Sequence, residues 1–400
     1  MNAVNALSTQ PAADDYLALA KKLALMVDSH AAASEDAGEM SSEVFTALKS
    51  AGLYWAMIPK EAGGGGLDLL AALDIWAEIA RADASTGWTL MAGSAATAGA
   101  YAYVGKSCAE QIFGGKEPRL VGGMFGPGGT SRIGTDGIEY QGKFSFGSGC
   151  RNAEWFGGGS IVMNGDKPEM GPDGTPRVLI CFVPRKNVVV QENWDVMGLR
   201  ATGSIDYQVP LQTIQPDFTV ERIGAKQQRG GPLFAIGMAA IGIAGHTAVA
   251  VGIMQRAIEE VLNIVTVKGR PGYTGKIRDS AVFQQEFSYH EASYQACKAL
   301  MISTYAEAQR DLYAGRELTV EQRQRFRQVA IWVHRVAQDV VTFCFNWGGA
   351  QSIRNPSALG RCMRDMSVAM QHVLIDPIGM VQAAPSIMDG WRKRDAATPR

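Results

Sequence analysis

The chain has 400 residues, 46% hydrophobic and 19% charged, with 38 basic and 39 acidic side chains for a formal net charge of −1. That length exceeds one ordinary core, so two or three packed units are expected. The balanced charge excludes a global attraction to nucleic acid or to an anionic membrane and leaves self-association unopposed. Cys108, Cys150, Cys181, Cys297, Cys344 and Cys362 form no C-x-x-C pair and no Cys/His cluster of zinc spacing, so no metal site is expected. The opening run MNAVNALSTQPAADD lacks a basic segment followed by an apolar one, and a cytoplasmic location with free thiols is expected.

From Asp15 to about Glu117 the pattern is helical. Tyr16, Leu19, Leu23 and Met26 recur at helical spacing, and Ser41-Ser42-Glu43 offers a cap before a second helix. The run Ala62-Gly63-Gly64-Gly65-Gly66 breaks the pattern. A helix follows from Leu67 to about Arg81, and Asp83-Ala84-Ser85 opens another. From Arg119 to about Val220, Gly and Pro punctuate short β-branched and aromatic runs. Strands are predicted at Gly137–Phe146, Gly159–Met163, Arg177–Pro184, Val188–Gln191 and Tyr207–Leu211, with hairpin turns at Asp136-Gly137 and Asp173-Gly174. A barrel or a pair of packed sheets is expected. From about Gly231, Ile236–Thr266, Ser280–Ala314, Val320–Trp347 and Leu359–Ala383 read as four long antiparallel helices, and a four-helix bundle is their natural packing. Ile236–Val251 is apolar but reads as too short for a membrane span. Arg392–Arg400 reads as a frayed tail. The expected domains are 1–118 (helical), 119–225 (β) and 226–400 (helical bundle).

The segment Trp194-Asp195-Val196-Met197-Gly198-Leu199-Arg200-Ala201-Thr202-Gly203-Ser204 combines an indole, two glycines, a fixed cation and two hydroxyls. Such a segment turns sharply and offers backbone and hydroxyl donors to a planar, anionic ligand. It resembles the W-x-x-x-G-[LM]-R-x-T-G-S signature of flavin-dependent monooxygenases built on the acyl-CoA dehydrogenase fold. Met57–Glu61 with its glycine run, Glu78–Trp88, Gly142–Cys150, Gly348-Gly349 and Arg364-Asp365 are similar to further motifs of that fold, in the same order. The resemblance implies an α+β, acyl-CoA dehydrogenase-like architecture. An N-terminal helical domain, a central β domain and a C-terminal four-helix bundle follow one another.

Within that resemblance the choice lies between dehydrogenase and oxygenase. A dehydrogenase needs a carboxylate base for the α-proton of a thioester. In much of the family it is a Glu at fixed spacing after the Arg-Asp pair. That register falls here on Val373, which accepts no proton, with His372 beside it. A similarly placed histidine is typical of the two-component (group D) aromatic hydroxylases. There an imidazole holds the proton of a flavin C4a-hydroperoxide or orients the substrate. Phe144–Cys150 resembles a segment whose serine approaches flavin N5, and Ser148 is the match, with Gly149 beside it. By the same resemblance Trp194, Arg200, Thr202, Gly203 and Ser204 bind flavin, and Gly348 and Gly349 complete the site of a neighbouring subunit in a homotetramer. Arg200 is alternatively a partner for Asp195 or Asp206. Trp88, Ser94 and Phe125 are the candidate substrate wall, though core packing is the competing reading for Trp88 and Phe125. The helix Thr89–Ala98 lacks a histidine that many relatives carry there, which favours a substrate needing no deprotonation, such as an indole. His30, His246, His290 and His334 read as structural.

No G-x-G-x-x-G opens a βαβ unit, so no nicotinamide site is visible. The implied activity is the oxygenase component of a two-component monooxygenase. It uses reduced FAD (or FMN) and O₂, takes its flavin from a separate NAD(P)H-dependent reductase, and oxygenates a small aromatic substrate. A dehydrogenase with a displaced base and a catalytically idle relative are the alternatives.

Overall fold

The computed structural model describes residues 13–115, 119–171 and 173–397. Five helices come first: α1 (Ala13–Ala37), α2 (Ser42–Ser50), α3 (Leu69–Ala82), α4 (Ala84–Tyr103) and α5 (Lys106–Phe113). Short polar side chains start α2, α3 and α4. Ser41 Oγ accepts from Val44 N, as its place in the sequence predicts, and Asp68 caps α3. Asp83 both ends α3 and caps α4. Its backbone is extended, and its carboxylate accepts from the N–H and hydroxyl of Thr86, each at 2.8 Å. α4 is buried at every position but Ala92, which explains its Ala, Gly, Ser and Thr content: small side chains let neighbours approach on all sides. Thr97 Oγ1 accepts from Val121 N at 3.0 Å, tying α4 to the sheet.

The central segment holds β1 (Val121–Ile133), β2 (Ile138–Gly147), β3 (Trp155–Asn164), β4 (Lys167–Pro168), β5 (Val178–Pro184), β6 (Val189–Gln191), β7 (Ile205–Ile214) and β8 (Thr219–Glu221). Its strands are hydrogen-bonded in one continuous mixed order, β6-β7-β2-β1-β3-β5-β8, with β4 on β3. β6 and β8 are its open edges. The longest strand, β1, is absent from the sequence prediction. Its glycines and Pro127 carry no strand signal, and the register with parallel β3 slips on either side of Pro127. Tyr140, Phe144, Phe156 and Tyr207 fill the sheet's own core.

The last segment contains α6 (Met238–Val267), α7 (Ala281–Tyr313), α8 (Val320–Gly348), α9 (Ala358–Ala369) and α10 (Ile378–Ala397). The expected fourth helix is therefore two. A turn at His372 and a 3-10 turn at Val373–Ile375 separate them, and Pro377 keeps Asp376 out of the helical region. α10 runs through most of the expected tail to Ala397. α6 agrees within two residues at either end with the expected helix Ile236–Thr266. Its length and hydropathy would suffice to cross a membrane, but 78% of the apolar window is buried within the protein. All six cysteines are free and buried.

Candidate active site

Two motifs far apart in sequence interlock to support the site. The loop at 194–204 lies on α9 so closely that a Cβ on Gly198 would stand 2.3 Å from Arg364 O. Leu199 adopts a left-handed backbone (φ 50°), strained for a side chain of its shape, and its N–H donates to Asp365 Oδ1 at 2.5 Å. Burial, with Asp83 nearby, raises the Asp365 pKa to about 8 against the pull of the Leu199 N–H and Arg361. Glu35 of α1 closes the group. It pairs with Arg364 (2.5 Å) and Arg361 (3.7 Å), and Arg361 reaches Asp83 at 3.5 Å.

On that support stands a line of hydroxyls. Trp88 Nε1 donates to Ser148 Oγ (3.0 Å), Ser148 and Ser204 share a bond (2.7 Å), Ser204 meets Thr202 (2.7 Å), and Thr202 Oγ1 donates to Leu199 O (2.7 Å). The terminal carbonyl only accepts, so the whole line has one polarity. Thr202 gives its proton to Leu199 O, Ser204 gives its proton to Thr202, and Ser148 gives its proton to Ser204. Ser148 Oγ accepts from Trp88 and keeps one lone pair. It is left as an acceptor for an incoming N–H. Gly149, at φ 76°, makes the turn that follows.

Trp88 also faces the other half of the site. Its ring lies 4.4 Å from that of His246 on α6 and 5.6 Å from that of His372, and the two imidazoles are 4.1 Å apart, tilted by 37°. Leu374 N donates to His372 Nδ1 at 3.2 Å, so the neutral ring carries its proton on Nε2. Burial lowers the His372 pKa to about 4, and at neutral pH the ring is a hydrogen-bond donor rather than a cation. His246 is pushed well below 6.5 by burial and by His372. His334 on α8 falls to about 4 through burial, and its Nδ1 donates to Ala330 O at 2.8 Å. His246 Nδ1 and His334 Nε2 are buried without a hydrogen-bond partner.

The structure therefore brings Ser148, Thr202, Ser204, Trp88 and His372 together. It adds His246, which its position in an apolar run conceals. Trp194 stands at the rim, its Nε1 donating to Arg200 O and its ring edge-on to Phe146. Arg200 donates to Glu35 O, Val196 O and Asp195. Gly203 closes the 3-10 turn after Arg200 with φ 50°. Ser94 is buried and donates to Leu53 O at 3.3 Å, and Phe125 packs on Phe182. Gly348 and Gly349 end α8 elsewhere, against Ser352, Leu359 and Arg270. The arrangement fits a reduced flavin: the free lone pair of Ser148 suits a ring N–H such as that at N5, beside two imidazoles shielded from water.

The profile for the acyl-CoA dehydrogenase N-terminal domain matches residues 18–111, and that for the C-terminal domain matches residues 244–377. The chain belongs to the acyl-CoA dehydrogenase family. Within that family it is similar to an indole-3-acetate monooxygenase of Acinetobacter baumannii, 26% identical over 84% of each chain. It is also similar to the oxygenase subunit HsaA of a flavin-dependent monooxygenase from Rhodococcus jostii, 23% identical over 86% of this chain and 90% of that one. Among solved structures, XiaF from Streptomyces in complex with FADH2 and glycerol superposes with a TM-score of 0.85 at 18% identity, covering 94% of this chain and 96% of that one.

Proposed function

We propose that the protein is the oxygenase component of a two-component flavin-dependent monooxygenase acting on a small indole- or phenol-like aromatic. A reduced flavin in the site supplies the electrons that activate O₂. One observation carries the reading: a one-directional line of hydroxyls ends at Ser148, next to a pair of neutral imidazoles. A dehydrogenase needs a carboxylate at that place, and the residue in its register is Val373, whose side chain is 71% exposed. The indole-3-acetate monooxygenase relative supports an indole-like ring.

His372 donates Nε2–H to the oxygen being transferred or to the substrate. Ser148 accepts a flavin N–H, and Trp88 walls the ring. Reduced FAD is the proposed flavin, with FMN as the alternative, delivered by a separate NAD(P)H-dependent reductase. A homotetramer is proposed, in which Gly348 and Gly349 complete a neighbour's flavin site. Exposed Val282, Tyr289, Val381 and Met388 on α7 and α10 give that assembly apolar surface to cover. A cytoplasmic location suits six unpaired thiols.

The test mixes protein, photoreduced FAD or FMN, O₂ and 3-methylindole. The oxygenase yields an oxygenated indole and is nearly colourless as purified. A yellow protein whose FAD is bleached by an acyl-CoA would make it a dehydrogenase.

A further inference from the structure

A cavity of about 650 Å³ opens at the head of α6, where β8 and the first turns of α8 meet. Its floor is apolar: Tyr103, Ile236, Ile243 and Phe326. Its rim carries Arg222, Arg323 and Arg327. Arg323 donates to Ile236 O at 3.1 Å and Arg327 to Gln382 Oε1 at 2.5 Å, both neutral acceptors. Arg222 makes no side-chain hydrogen bond or ion pair among the described residues. The acid on the wall, Glu221, is engaged by Arg177. Desolvation and the charge of Arg327 together lower the Arg222 pKa. Three guanidinium groups, those of Arg222 and Arg323 exposed to solvent, thus share one cleft rim without a carboxylate of their own and give it a positive potential that attracts an anion.

We propose that this cleft binds the carboxylate end of an aromatic acid substrate whose ring lies at the histidine pair. The proposal rests on the oxygenase reading above. α6 joins the two places. Ile243 lines the cleft, and His246 follows one turn later, about 5 Å along the axis, while Gly237 at the far end is ~13 Å away. An apolar floor under a cationic rim suits an amphipathic acid, and the guanidinium fork matches a carboxylate. The separation favours an acid on a flexible arm, so indole-3-butyrate should gain more from the arginines than indole-3-acetate.

Equilibrium binding to the full-length protein with reduced flavin, measured anaerobically, tests this with indole-3-acetate, indole-3-butyrate and neutral 3-methylindole. Arg222→Gln is the principal variant, because Arg222 supports no other residue; Arg327→Gln is the second. Each should weaken indole-3-butyrate binding about 10-fold or more, as the loss of a charged hydrogen bond implies. Neither should change the affinity for 3-methylindole or for reduced flavin. The acid's advantage should shrink as salt rises. Equal effects on acid and neutral ligand, or none on the acid, would overturn the cleft assignment. Product assays on the same samples separate the two claims: arginine-dependent binding without oxygenated product sinks the oxygenase reading and keeps the cleft, while oxygenated 3-methylindole without acid selectivity does the reverse.

Discussion

The two walls of the site are built on opposite principles. The wall from Trp88 through Ser148, Ser204 and Thr202 to Leu199 O is a closed chain of hydrogen bonds in which each hydroxyl proton is committed. The wall of His246, His334 and His372 is desolvated, and two of its buried nitrogens have no partner. A satisfied network holds one geometry. An unsatisfied one stores a demand that a ligand or an ordered water fills. The first wall is therefore suited to holding a cofactor in a fixed pose, and the second to meeting a changing group, substrate or oxygen. Different substitutions should break them in different ways.

His372→Ala removes the open wall's Nε2 donor and should have the largest effect. Hydroxylation is expected to fall about 10²–10⁴-fold while reduced-flavin affinity stays within a few-fold. Product formed per reduced flavin consumed, with the dissociation constant measured alongside, checks it. Full coupling in the variant would make His372 a packing residue.

Ser148→Ala breaks the closed wall at its flavin end and strands both Trp88 Nε1 and the proton line behind it. Loss of that bond, worth about 1–3 kcal/mol, should raise H₂O₂ release by roughly one to two orders of magnitude. Unchanged coupling would remove Ser148 from the flavin site.

These two walls differ also in how far they were legible in the sequence. Ser148, Thr202 and Ser204 sit in short motifs whose turns are local, so residue type and spacing are enough to mark them. Their common proton direction is not local: it follows only once Thr202 is seen to end on the Leu199 carbonyl. His246 lies mid-way in an apolar helix, where a histidine ordinarily packs quietly, and its place against His372 comes from the packing of α6 on the turn after α9. That turn was itself hidden, because the run from Leu359 to Ala383 keeps helical periodicity through it. β1 is illegible for the opposite reason. Its glycines erase the alternation that betrays a strand, and pairing with β2 and β3 supplies what propensity does not. Gly348 and Gly349 lie outside this group, at the end of α8.

His246→Phe and His246→Ala sharpen the open wall. Phe keeps the ring packing against Trp88 and His372 but removes the nitrogens; Ala removes both. If packing alone orients His372, Phe should retain coupling and Ala should lower it about tenfold, the effect of loosening a positioned group. If Phe uncouples the reaction as strongly as Ala, the orphaned Nδ1 is itself used.

The smallest effects concern stability. The folded-state pKa values of His246, His334 and His372 lie below their unfolded value of 6.5, near 4 for the latter two. Their contribution is fully present above pH 6.5 and is lost as pH falls toward 4. Asp365 runs the other way: with its folded pKa raised to about 8, its contribution is fully present below the unfolded value of 3.8 and is lost progressively as pH rises from there through 8. Thermal melts of His334→Phe should lessen the stability lost between pH 6.5 and about 4, and those of Asp365→Asn the stability lost between pH 3.8 and about 8, each by a few °C, roughly the effect of 1 kcal/mol. Parallel melting curves across pH would contradict both assignments.

The proposed oxygen transfer takes place where the two walls meet. Single-turnover reaction of the protein with reduced flavin, ¹⁸O₂ and 3-methylindole tests it most directly. One ¹⁸O atom in each product molecule, close to one product per reduced flavin, is expected, with collapse of that ratio in His372→Ala. Oxidation of the flavin to H₂O₂ alone, with no labelled product from the unaltered protein, would contradict it.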